Sequence, residues 1–510
     1  MADKKKGLSF LQLPIPPQVK RAKVTKKSWT ELNLRQTVDS GALSHERNIS
    51  TELFPYLIPC DKGEEVCTIG DKKSLPLSIH GFDDFLIICH GGKITRVTKN
   101  GDDYVTETAQ FLVNENEYKD YEAEDNISQR SVLQFNVFND KDGTSLNGSF
   151  DRRIIIFPDK VSLPYSDKEA FVASTFETKE NAIPNLKYAT VHLSRVFGVD
   201  DSRVYASAFN DYSNWTLDTA DEYNEANAWF TASQSNSKAD GNFTGITTFQ
   251  SHVVCFKKDF MHEIYNTKNP FRIQDIYAEG AIDNRTICDV DGNLFFCSED
   301  GVKVYTGGNP RIISYNLGID DFSGAVAGTD GRCYYLYQGK DTYDSDGNII
   351  IDHLIYVYDT YCQAWSMRTA TNRIIGFAKC NFGFFCIDDT GVLTKLDTGN
   401  SKDLNWEFET DLMTTGSCDI KHIDKLQMCC DIETDPEIPD KVASVKIEFV
   451  SESGKYFELW NSNGKSGYVV ARVKLRNSAC NAFKIRVSGT GKVCIRSMEL
   501  FIKQGGELYE

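Results

Sequence analysis

An apolar run, a turn of Asp, Gly or Lys, and a second apolar run follow one another six times along this chain. The stretches are FLIICHGGKITRV (85–97), VHLSRVFGVDDSRVYASA (191–208), HVVCFKKDFMHEIY (252–265), NLFFCSEDGVKVYTG (293–307), LIYVYDTYCQAWSM (354–367) and FGFFCIDDTGVLTKL (382–396). Each reads as a β-hairpin, and a chain built from so many hairpins has to hide many strand edges. The apolar cores at Val253, Leu294 and Tyr334 are 41 and 40 residues apart, and further cores follow at Tyr356 and Phe384. A period near 40 suits a four-stranded blade, and radial repetition of blades makes a β-propeller. The expected fold is therefore all-β, a β-propeller of six or seven blades. Irregular spacing before residue 250 predicts insertions, among them the acidic NENEYKDYEAEDN (114–126). Helical spacing is confined to SDKEAFVAST (166–175) and LDTADEYNEAN (217–227).

Beyond about residue 415 the pattern becomes strict alternation. ASVKIEF (443–449) places Ala443, Val445, Ile447 and Phe449 on one face, and ARVKLR (471–476) and FKIRVS (483–488) alternate in the same way. That is the period of antiparallel strands with one wet face, so a C-terminal β-sandwich is expected at 416–510, after a propeller at 41–415. Its outward positions Arg472, Lys474, Arg476, Lys484 and Arg486 form a basic stripe that either is merely solvated or docks on an acidic partner.

The protein as a whole is acidic, with a formal charge of −17 over 510 residues, which disfavours a surface that wraps nucleic acid. The first 35 residues run the other way, with nine cations, among them Lys20, Arg21, Lys23, Lys26 and Lys27, against two carboxylates. LPIPPQ (13–18) lies in the same stretch, so residues 1–40 are expected to be an extended basic arm, either solvated or laid on a neighbouring subunit. The N-terminal sequence lacks an apolar signal-peptide core, and no run of 18 apolar residues occurs, so a cytoplasmic, soluble product without a membrane partner is expected. Most of the 15 cysteines lie inside apolar strands, where they act as small hydrophobes. Cys60 and Cys67 have the spacing to clip a loop but fit no zinc pattern.

Little in the sequence supports chemistry. GxSxG, HExxH, a glycine-rich phosphate loop and paired CxxC are absent, and no two of the eight histidines stand four apart. DTYDSDGN (341–348) and FNDKDGTSLNG (138–148) imitate calcium loops without the closing Glu, and a hairpin turn accounts better for the first. SESGKYFELW (451–460) is a poor relative of a sialidase aspartate box. The expectation is no enzyme, no cofactor and no metal. A propeller glycosidase, which needs two converging carboxylates, remains the alternative to test. RVYASAFNDYSNWT (203–216) ends a strand in a loop of amides and aromatics, either a plain corner or a contact surface through Tyr212 and Trp215.

Taken in order, DSRVYASAFNDYSNWT (201–216), GITTFQSHVVCFKKDFMHEIYNTKNPFRIQDI (245–276), ICDVDGNLFFCSEDGVKVYTGGNPRIIS (287–314) and FKIRVSGTGKVCIRSMEL (483–500) resemble the β-propeller neck and tail-hub proteins of tailed bacteriophages, including the packaged-DNA stabilisation type. GALSHERNISTELFPYLIPC (41–60) is similar to that family's opening segment. The resemblance spans residues 40 to 500; the cysteine content and the basic arm depart from it. It implies a structural, non-enzymatic head-completion protein of the virion, assembled in the bacterial cytoplasm. Such a protein forms a homo-oligomeric ring, a hexamer or dodecamer, that contacts portal, adaptor or other tail proteins and lets genomic DNA pass during ejection. Candidate contacts between its subunits are Lys20, Arg21, Lys23, Lys26, Lys27, Arg472, Lys474, Arg476, Lys484, Arg486, Tyr212 and Trp215. The competing readings are a host-glycan-binding or glycan-cleaving propeller at the tail tip, and an intracellular bacterial scaffold.

Overall fold

In the computed structural model the described residues are 20–26, 29, 32–34, 42–70, 75–110, 112–114, 117–118, 130–139, 149–166, 169–177, 182–217, 224, 227–231, 241–319, 321–339, 342–343, 349–350, 353–399, 401, 403–414, 420–434, 443–474 and 479–504. They form strands throughout, with two single-turn 3-10 helices at Asn284–Thr286 and Tyr315–Leu317 and no α-helix. Residues 166–175 end in the strand Ser174–Thr175, which pairs with Val161 and Ser162; sheet pairing overrides the weak helical spacing there. Of residues 217–227 only 217, 224 and 227 are described.

The chain divides into two compact units. The first collects residues 1–62, 362–368 and 400–510, and the second residues 63–361 and 369–399. The expected boundaries at 40/41 and 415/416 differ from these, because Leu43–Arg47 pairs with Asn405–Thr410 and both belong to the first unit.

Among the described residues seven four-stranded sheets, I to VII, span residues 76–110, 131–175, 188–230, 245–276, 288–312, 326–370, and 374–395 together with Glu64–Thr68. In most of them the second strand is buried on both faces, completely so at Phe85–His90, Arg195–Val199 and His252–Lys257. This explains why those segments read as continuous apolar runs rather than as alternation. Neighbouring sheets share cores in chain order: Phe85 and Ile87 with Ile154 and Ile156, Phe197 and Val199 with Val253 and Cys255, and Val254 and Phe256 with Leu294 and Phe296. Sheet VII in turn packs on sheet I, Ala378 and Phe385 meeting Leu86 and Ile88. The packing is close enough to dictate glycine in the first strands. A Cβ on Gly328 would lie 2.2 Å from Cβ of Phe377, and one on Gly81 would lie 1.9 Å from the carbonyl oxygen of Lys379.

Val253, Leu294, Tyr334 and Phe384 each fall on the second strand of a sheet, IV to VII in turn. Tyr356 instead lies on the third strand of sheet VI, after the inserted hairpin Thr342–Tyr343/Ile349–Ile350, and so marks no new repeat. That hairpin agrees with the turn expected for DTYDSDGN.

The first unit holds two five-stranded sheets. The A sheet runs Lys20–Lys26, Val493–Gln504, Lys421–Ile432, Gly467–Lys474, with Ala479–Cys480 beside Lys421–Ile432. The B sheet runs Leu43–Arg47, Asn405–Thr410, Phe483–Thr490, Ser444–Ser451, Tyr456–Asn461. One apolar core lies between them, with Phe408, Ile447, Ile485 and Val487 from B and Leu426, Met428, Met498 and Leu500 from A. Trp29 joins it, edge-on to Phe408 at 5.3 Å between centroids. Within the expected extended arm, Lys20–Lys26 is a strand that pairs residue for residue with Met498–Gln504, and residues 1–19 lie outside the described residues.

Candidate functional site

The structure separates the residues of the expected basic stripe. Arg472 and Lys474 are exposed on the A sheet, whereas Lys484 and Arg486 belong to the B sheet. The alternation gave the correct face of each strand, but it carries no information about which sheet a strand joins. Lys484 pairs with Glu409 at 3.3 Å, and Arg486 pairs with Glu407 while its guanidinium lies 5.0 Å from the ring centre of Tyr456. These two cations close internal networks rather than forming an open docking stripe. Lys20, Arg21, Lys23 and Lys26 occupy the edge strand of the A sheet, while Lys27 and Arg476 lie outside the described residues.

Tyr212 and Trp215 face inward. The Trp215 Nε1–H donates to the carbonyl of Tyr212 at 2.9 Å, and its ring meets Phe157 edge-on. Tyr212 stands edge-on to Phe176 and Phe135 at 5.0 and 5.5 Å. The loop begins with Asn210 at φ 58°, whose N–H bonds the carbonyl of Ser194. It is a corner whose rings fill the core between sheets II and III, which leaves Trp215 only 7% exposed.

One pocket of the first unit has no counterpart among the sequence motifs. A cavity of about 390 Å³ opens at one end of the B sheet; Trp406 and Val445 are among its lining residues, with their side chains in the core of the unit. Asn405, Thr490 and Ser444 stand at the ends of three neighbouring strands, and Ser488 lies opposite both Glu407 and Lys446. Gly489 lets the backbone pass close to the buried Trp406 ring, since a Cβ there would lie 2.6 Å from its Cζ2. The rim is held by short contacts. Ser444 Oγ and Thr490 Oγ1 are 2.8 Å apart, Asn48 Nδ2 donates to the carbonyl of Asn405 at 2.8 Å, and the Trp406 Nε1–H donates to Gly491 at 3.0 Å. Glu407 bonds His45 at 3.0 Å and Arg486, and these two partners, His45 foremost, hold its carboxyl down at about 2. Lys446 pairs with Glu448 at 2.6 Å. No motif announces this pocket, because five strands from distant parts of the chain compose it.

In the second unit a titratable cluster surrounds Glu263. Tyr265 donates to one carboxylate oxygen at 2.9 Å, Tyr305 donates to the other, and His252 Nε2 lies 3.5 Å from the latter. Burial pushes His252 below the ordinary imidazole value against the pull of Glu263, and pushes Tyr265 up to about 12. Glu263 is 3% exposed and both its oxygens are engaged, so the cluster ties sheets IV and V together. Burial likewise raises the Cys60 thiol to about 11, and Cys60 and Cys67 are both free thiols. Among the described residues no group of three His, Cys, Asp or Glu side chains is placed to hold a metal, and no helix is long and apolar enough to cross a membrane. Most of FNDKDGTSLNG lies outside the described residues.

No protein family and no curated protein matches the chain. Solved structures similar to it include PorZ, an essential bacterial surface component of the type-IX secretion system of Porphyromonas gingivalis. The identity is 11% and the TM-score 0.37, over 70% of this chain and 44% of that one. The extracellular domain of a one-component system from B. thetaiotaomicron is 10% identical with a TM-score of 0.36, over 74% of this chain and 43% of that one. BamB from Moraxella catarrhalis is 11% identical with a TM-score of 0.33, over 65% of this chain and 96% of that one. The chain spans less than half the length of the first two. Likenesses at this level bear on neither the detailed fold nor the activity.

Proposed function

We propose that the seven sheets are the blades of a seven-bladed β-propeller, that the A and B sheets make a β-sandwich, and that the protein is a non-enzymatic structural component of a tailed-bacteriophage virion. The propeller reading is supported by the packing of sheet VII on sheet I and by Glu64–Thr68, an early strand that completes the last sheet. The virion reading rests on one observation above all. Two of the four motifs whose order resembles the neck and tail-hub proteins are whole structural units, residues 245–276 being sheet IV and residues 287–314 enclosing sheet V.

In this reading copies of the chain form a ring in the neck or tail, bound to portal, adaptor or tail proteins. The acidic surface, at a formal −17, repels DNA and lets it slide through the ring. Arg472 and Lys474, which stay exposed, are the inter-subunit contacts that survive from the basic stripe. The test is the mass of the purified protein by analytical ultracentrifugation together with its presence in purified particles. A closed multimer found in particles is expected, and reversing both charges (Arg472→Glu with Lys474→Glu) shifts it toward monomer. A protein that is monomeric at every concentration and missing from particles refutes the reading.

A further inference from the structure

We propose that the pocket at the end of the B sheet binds a neutral polyhydroxylated ligand, one sugar unit of a glycan. This goes beyond the architectural reading and does not depend on it.

The argument starts from which polar groups are already engaged. The charged side chains around the pocket are matched: Glu407 by His45 and Arg486, and Lys446 by Glu448, while Arg47 is itself engaged. An anionic or cationic ligand would therefore have to compete with existing ion pairs. The open groups are neutral. Among the described residues no hydrogen bond engages Ser488 Oγ or the Asn405 side-chain amide, and Asn461 is engaged only through Oδ1, which accepts from the Asn463 N–H at 3.0 Å. A hydroxyl and two amides, each able to donate and two able to accept, are the complement of a ring carrying several hydroxyl groups.

Two further features fit such a ligand. The cavity, about 390 Å³, falls in the size range of small-molecule sites. Its walls are also set before any ligand arrives. The Ser444–Thr490 hydroxyl pair, the Asn48–Asn405 bond and the Ser462 hydroxyl that accepts from the Val445 N–H at 3.1 Å fix the backbone around it. Glu407 is the one carboxylate in the lining, and both its oxygens are engaged, whereas glycoside cleavage takes a pair of carboxyl groups. The site is one for binding rather than hydrolysis.

The experiment titrates the full-length protein with maltose, cellobiose, lactose and N,N′-diacetylchitobiose, read by saturation-transfer NMR and by isothermal calorimetry, with inorganic phosphate as a competitor. At least one disaccharide is expected to bind with a Kd in the millimolar range or tighter, without release of monosaccharide. Phosphate does not displace it. Ser488→Leu, which fills the mouth of the pocket, weakens binding at least about tenfold. Asn461→Ala, which removes one amide and nothing from the core, weakens it more mildly and serves if the leucine variant fails to fold. Lys258→Ala, an exposed residue of the second unit, leaves binding unchanged. Absence of binding by all four sugars, undiminished binding in the folded Ser488 or Asn461 variant, or displacement by phosphate overturns the proposal. Ring assembly is read by sedimentation, so either result stands without the other.

Discussion

The protonation of Glu46 bears directly on the stability of the first unit. Its carboxyl is buried, accepts a hydrogen bond from the Met367 N–H at 2.8 Å, and is pushed by desolvation from 4.5 up to about 8. Between those two values the folded chain holds a proton that the unfolded chain releases. Its contribution is therefore fully present below pH 4.5 and is lost as the pH rises toward 8. Glu46→Gln keeps an acceptor for Met367 and removes the ionisation, so it should stabilise the protein by about 2 kcal/mol above pH 8, and urea unfolding at a series of pH values should show the gain shrinking toward acid. Glu407 has the opposite sign. Its carboxyl is lowered from 4.5 to about 2, so its contribution is present above 4.5 and lost as the pH falls toward 2. Glu407→Gln should cost about 1 kcal/mol at neutral pH, discounted for partial exposure, and nothing at the acid end; a constant cost across the range would mean that His45 and Arg486 do not set its stability.

At the scale of elements the telling position is Gly328, in the first strand of sheet VI, where any side chain collides with Phe377 of sheet VII. Gly328→Ala should cost about 1–3 kcal/mol by forcing the two sheets apart, visible as a lower thermal midpoint. A neutral outcome would show that the sheets are not packed as closely as the strand geometry implies. The same packing explains what could be read from the chain alone. Second strands such as Phe85–His90 are buried on both sides, so they appear as apolar runs and their hairpins are evident without any structure. Alternation at 443–449 likewise gave the inward face correctly, with Val445, Ile447 and Phe449 buried. It could not show that Arg472 and Arg486 belong to different sheets, because partner choice is fixed by contacts far away in sequence. The pocket was illegible for that reason: Arg47 and Glu407 meet across paired strands 360 residues apart, with no local signal at either end. Trp215 was legible as a corner, and its burial against Phe157 follows from the need of so large a ring for a core.

For the molecule as a whole the consequential fact is the way the chain is threaded. It leaves the first unit after residue 62, returns at 362–368, leaves again and comes back at 400, so the core of the first unit is assembled from both ends of the sequence. Trp29, Leu32, Leu43, Ile49 and Leu57 from the N-terminal segment are all buried. At about 1.5–3 kcal/mol for each large side chain, together they are comparable with the 5–15 kcal/mol by which a domain is usually stable. A variant beginning at residue 63 should therefore lose the first unit altogether, although strands 421–432, 444–451 and 483–504 remain in the chain. Calorimetry of the intact protein beside this truncation is the decisive comparison. The truncated chain is expected to lack the heat absorption of the first unit and to bind an exposed-surface dye, while residues 63–361 and 369–399, which keep Glu64–Thr68, still melt cooperatively. An unchanged calorimetric profile would mean that residues 400–510 fold without the N-terminal segment, and the interleaved core would then be an ornament of the fold rather than its foundation.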